Sequence, residues 1–331
     1  MSRQLVDVST RVIAAAVMVA GLGLGAAVQA QPTAPRVDVA RLDFGLQARA
    51  LAPGVYVVEG ANADFSVANG CNIINTGFIV TDAGVVVINT GPSRRYGEQL
   101  RALITRTTPK PVLQVIHLNL HPDYFLGNQA FADVPRLATA LTRQGMAREA
   151  KAYEDNLYRL CGDWMKGTEA LLPDRELPAE PVSLRIGGRE LRLTVLQGHT
   201  DSDLVLTDVA SGVVFVGGLV FVDRVPTTPH ARLQPWLQSL QVIEGMKPAI
   251  TVPSHGPVNT DGRGVAQTRG YLRWLDASFS RYAQEGWEPS EVLRGPVPAE
   301  YRQWAAFNTE FIRNVTHLYP AYEAQQLKPG R

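Results

Sequence analysis

Residues 72–91 read NIINTGFIVTDAGVVVINTG, two β-branched, apolar runs broken at Asp82 and Gly84 and closed by Gly91. This is the pattern of short strands joined by tight turns. Immediately before it, VYVVEG at 55–60 supplies another strand. Immediately after it, Ser93 to Thr105 has helical spacing, and PVLQVIHL at 111–118 is apolar enough for a buried strand. Strands, then a helix, then another strand imply a layered α/β sandwich.

The second half repeats the pattern. PVSLRIGG, RELRLTVLQG, SDLVLTDV and GVVFVGGLVF, spanning 181–221, read as strands. A helix is expected over Leu233 to Met246, a short strand at AITVPS (249–254), and two C-terminal helices over Val265–Gln284 and Ala299–Leu318. Between the halves, Thr139 to Thr168 carries a mixed-polarity helical pattern that reads as an insertion or hairpin of helices without a core strand. No linker rich in Pro, Gly or Ser separates the halves, so residues 31–331 are expected to form a single domain.

The N-terminus has the three parts of a secretory signal peptide: basic Arg3 and Arg11, an apolar run from Val12 to Val28, and the small-residue site Val28-Gln29-Ala30. Cleavage is expected after Ala30, and the mature chain is then periplasmic or secreted. A membrane anchor over the same run is the alternative, although the run is short and rich in Ala and Gly. The formal charge of +1 falls to about zero once Arg3, Arg11 and Asp7 are removed. Neither a basic patch nor a charge run is present, which argues against a nucleic-acid partner. Cys71 and Cys161, the only cysteines, stand 90 residues apart. A disulfide between them and two buried thiols are both compatible with that spacing.

Four side chains of ligand type sit in Gly- and Pro-flanked turns after strands: His121 and Asp123 in NLHPDYFLGN, His199 in LQGHTDSDL, and His255 in VPSHGPV. Loops along one sheet edge are where an α/β fold gathers a site. Three imidazoles and a carboxylate are also a set that zinc would accept.

These segments carry a family resemblance. NTGFIVTDAGVVVINTGPSRRYG, HPDYFLGNQAF, GHTDSDLVLTD, VFVGGLVFVDRVPTTPHA and VPSHGPV resemble the metallo-β-lactamase superfamily, most closely its quinoprotein relay system zinc metallohydrolase branch. The resemblance spans Val55 to Tyr319. It implies a four-layer αββα sandwich with a two-metal site at the sheet edge, one zinc on three His and the other on Asp, His and a bridging Asp. A water activated between the metals is then the nucleophile.

Departures from that pattern fall on the ligands themselves. The H-x-H-x-D-H motif stands here as Asn119-Leu120-His121-Pro122-Asp123-Tyr124, and the bridging Asp is Gly218. Asn89 replaces the Asp usual in the V-I-D-T-G turn, a kind of loss that costs about ten- to a hundred-fold in affinity or activity. The three-His half keeps His121 and His199, and the other half keeps Asp123 and His255. A conventional dinuclear centre is therefore not expected, and one zinc at most is. His117 would reach the site only by leaning in from the strand.

Two functions follow. One is a zinc-dependent hydrolase acting on a carbonyl or ester bond, with Asp123 as ligand or general base. The other is a metal-free pseudoenzyme binding a small molecule or a protein, with the four surviving groups hydrogen-bonded together. Either could accompany a quinoprotein dehydrogenase. Arg224, His230 and Trp236, on or after the proline-rich segment 223–231, are candidates for a substrate pocket, and Asp203 for a loop-steadying role.

Overall fold

The structure is a computed structural model and describes Arg36 to Gln326. The expected leader, with its cleavage site, lies outside the described residues. The described residues form one compact unit.

The first half contains β1 (Arg49–Ala52), β2 (Val55–Val58), β3 (Thr76–Val80), β4 (Val85–Ile88), α1 (Arg94–Thr107), β5 (Val112–Ile116), α2 (Pro122–Phe125), β6 (Arg136–Thr139), α3 (Ala140–Cys161) and β7 (Arg175–Leu177). The second contains β8 (Val182–Ile186), β9 (Arg189–Leu196), β10 (Asp203–Asp208), β11 (Val213–Phe221), α4 (Leu233–Gly245), β12 (Ile250–His255), α5 (Arg263–Gln284), α6 (Pro289–Val292), α7 (Ala299–Arg302) and α8 (Phe307–Gln326). Strands β1 to β7 form one sheet in sequence order, and the other runs β12-β11-β10-β9-β8.

Alternation along the strands makes the layers. In β4, Val86 and Ile88 face the second sheet and pack on Leu204, Leu206 and Phe215, whereas Val85 and Val87 face α1 and pack on Leu100 and Ile104. The far face of the second sheet packs Val214 and Val216 on Trp236, Leu240 and Leu272 of α4 and α5. Helices outside two stacked sheets give the αββα order, as expected.

Thr139 to Thr168 differs from expectation. Instead of a hairpin it holds the single 22-residue helix α3, capped where Thr142 N donates to Thr139 Oγ1. Just before it, Arg136–Thr139 forms a core strand parallel to β5. Few α3 residues are buried, namely Thr142, Gly145, Met146, Leu157 and Cys161, which is why its polarity reads as mixed. Its C-terminal end is fixed by a disulfide from Cys161 to Cys71, with a Cα separation of 6.0 Å.

Candidate functional site

The C-terminal ends of β5, β9, β11 and β12 reach one edge of the sandwich. Leu204 N donates to Leu118 O at 2.7 Å, tying the two sheets together there, and Phe221 pairs with His255 across β11 and β12. His121 precedes α2, whose first residue, Pro122, has the fixed φ a helix start needs. Asp123 follows on the same short turn.

The structure draws the four expected groups into two pairs. His199 Nε2 lies 3.1 Å from His121 Nδ1, and His255 Nε2 lies 3.6 Å from Asp123 Oδ2. His121 Nε2 in turn meets His230 Nδ1 at 3.1 Å, so three imidazoles form a chain that runs outward from the buried His199. His255 is oriented by Ile73, whose carbonyl sits 2.9 Å from Nδ1. A carbonyl only accepts, so Nδ1 carries the proton and Nε2 turns its lone pair toward Asp123.

Asn119, Tyr124 and Gly218, where the sequence is expected to depart from the ligand pattern, have other surroundings. Asn119 Oδ1 accepts from His121 N at 3.0 Å, while its buried Nδ2 has no partner. The Tyr124 hydroxyl bonds to Ser254 Oγ. A β-carbon built on Gly218 would overlap Cδ2 and Nε2 of the His199 ring and come 2.9 Å from Asn119 Nδ2. The His199 ring thus lies where a side chain at 218 would start, held there by Trp236 and Phe221 at centroid distances of 5.0 and 5.5 Å.

Other sequence candidates separate cleanly. Arg224 and His230 line the cavity above the site. Trp236 does not: it is fully buried behind His199 and donates to Leu219 O at 2.8 Å. His117 points inward, its Nδ1 3.1 Å from Tyr124 O. Asp203 accepts from Thr200 N and Oγ1 at 2.8 and 3.0 Å, and so steadies the His199 turn. Asn89, at φ +58°, accepts from Leu118 N at 3.0 Å.

Burial dominates the electrostatics. It holds His199 down at about 3 and His121 and His255 well below the usual histidine range. It pushes Asp123 up to about 7, partly offset by a backbone hydrogen bond and by the Arg224 charge.

The cavity outside these residues measures about 440 Å³. Its walls are Tyr153 and Leu160 from α3, Glu310 and Arg313 from α8, Phe65, and the 224–230 loop. Neither helix carries a motif, so their part in the site had no signal in the sequence.

The donor set does not fit a two-metal centre. Position 218 offers no side chain, Asn119 and Tyr124 are engaged elsewhere, and each half keeps two donors. Among the described residues no three or more of His, Cys, Asp and Glu converge as a metal requires.

Comparison with known proteins agrees with the fold. A model of the metallo-β-lactamase superfamily matches residues 69–255. Among solved structures, a metallo-β-lactamase from Pontibacter korlensis is 23% identical with a TM-score of 0.56, the match covering 69% of this chain and 99% of that one. One from Hirschia baltica is 19% identical with a TM-score of 0.54, covering 69% and 97%. The DIM-1 metallo-β-lactamase, in a structure exposed to ceftazidime, is 18% identical with a TM-score of 0.55, covering 69% and 96%. No curated protein matches the chain in sequence.

Proposed function

Because the chain belongs to the metallo-β-lactamase superfamily, we propose that it is an exported, hydrolase-like protein whose two-metal centre is dismantled and whose cavity binds a small molecule. It holds one zinc at most. The observation that carries this reading is the His199 ring over Gly218, in the space a bridging carboxylate would need. Export is supported by the leader-like N-terminus and by the Cys71–Cys161 disulfide, a bond that persists in oxidising compartments. The resemblance to the quinoprotein relay branch supports a role beside a quinoprotein dehydrogenase.

A second reading, a one-zinc hydrolase, is favoured by the Asp123–His255 pair. Two acceptors facing each other at 3.6 Å call for a proton or a cation between them. Metal content and a chelation assay separate the readings. The binding-protein reading expects well under one zinc per purified chain and no ester or lactam hydrolysis. About one zinc, with hydrolysis abolished by chelation and restored by zinc, supports the hydrolase. Two zinc ions per chain contradict both.

A further inference from the structure

Facing the cavity, or buried at its floor, are hydrogen-bond acceptors without matching donors. Asp123 Oδ2 is buried with no partner, and His255 Nε2 presents a lone pair because Nδ1 is committed to Ile73 O. Glu310 Oε1 accepts from Arg313 Nη1 at 2.9 Å, but its buried Oε2 has no partner. Both carboxylates belong to residues no more than 2% exposed.

Charge points the same way. Asp64, Asp123 and Glu310 are three carboxylates, and the guanidinium groups set among them are two, Arg224 and Arg313. Arg313 reaches Asp64 at 3.2 Å and Glu310 at 2.9 Å, and Arg224 reaches Glu310 at 3.6 Å. Counted as ionised, the three carboxylates exceed the two guanidinium groups by one, and a cation beside Asp123 would favour the charged form of its carboxyl.

Resting on the reading of the cavity as a small-molecule site, we propose that it binds a primary ammonium group, held between Asp123 and His255, with its apolar body against Phe65, Leu160 and Pro229. An ammonium brings one charge and three N–H donors, which is what the floor lacks. A divalent metal would find only two donors there, since among the described residues no third His, Cys, Asp or Glu converges with them. The apolar residues named line the same cavity.

Calorimetric titration of the mature protein with 2-phenylethylamine, 2-phenylethanol, phenylacetate and zinc chloride tests this. The amine is expected to bind at least tenfold more tightly than the alcohol, with no measurable binding of phenylacetate. Asp123→Asn, nearly isosteric, should weaken the amine at least tenfold, and Leu160→Trp should block it while leaving the carboxylates intact. Equal affinity for amine and alcohol, or an unchanged affinity in both variants, overturns the proposal. Binding of the alcohol or phenylacetate without the amine overturns the ammonium assignment and leaves the cavity a small-molecule site. Two zinc ions per chain overturn that reading of the site as well.

Discussion

The imidazole of His199 occupies the space a β-carbon on Gly218 would need: the ring lies where any side chain at 218 would begin. Glycine is thus required by packing, and the ring, caged by Trp236 and Phe221, has no ready place to go.

Gly218→Asp alone is therefore expected to destabilise the fold, since it overpacks a filled site and buries a carboxylate. The overpacking alone is worth about 1–3 kcal/mol. Urea unfolding of the single variant measures it. The triple variant Asn119→His, Tyr124→His, Gly218→Asp should recover stability when zinc is added, and no such recovery is expected for Gly218→Asp by itself.

Replacing Cys71 and Cys161 together by Ala should lower stability by about 4.6 kcal/mol, the chain-entropy value for a loop of this length. Reductant should shift the urea midpoint of the wild type and leave that of the double variant unmoved.

Arg224 and Glu310, 1% exposed each, form a buried charge pair at 3.6 Å. Removing Arg224 leaves buried Glu310 with Arg313 alone at 2.9 Å, so the cost should fall below the about 3–5 kcal/mol of a fully unpaired buried charge. Arg224→Met should accordingly lower the thermal midpoint more than the double variant Arg224→Met, Glu310→Leu does.

Stability should fall with acid below about pH 6.5. Buried His117, His121, His199 and His255 have depressed pKa values, so the unfolded chain binds more protons than the native one as pH drops through the ordinary histidine range. Their contribution is present above that range and is lost as pH falls toward the folded values. Asp123 and Asp203, raised to about 7, act oppositely between about pH 4 and 7, where the native state holds the extra protons. His230 and His317 are lowered as well and Glu310 is raised, so six histidines stand against three carboxyls and the unfolded chain holds the excess of protons. Urea midpoints from pH 7.5 to 4.5 read the slope. A midpoint that rises on acidification would contradict the balance.

Much of the fold is legible because β-branched alternation survives in β2, β3, β4 and the strands of the second half. Strand β6 is not, because RLAT is four residues long and runs directly into a helix whose surface is mostly solvated. The pairing of His121 with His199 and of Asp123 with His255 rests on loops that the strand ends make visible in the sequence. His230 reaches His121 from a proline-rich loop whose path only the fold defines, and Trp236 looked like a wall residue because nothing local shows that its helix packs inward. Glu310 and Arg313 sit on an ordinary amphipathic helix nearly two hundred residues from Asp123, where no spacing links them.

Crystals grown with excess zinc and measured at the zinc absorption edge test the dismantled centre most directly. The account predicts one anomalous peak at most, with the His199 ring still over Gly218. Two peaks about 3.5–4 Å apart, with that ring swung away, would contradict it.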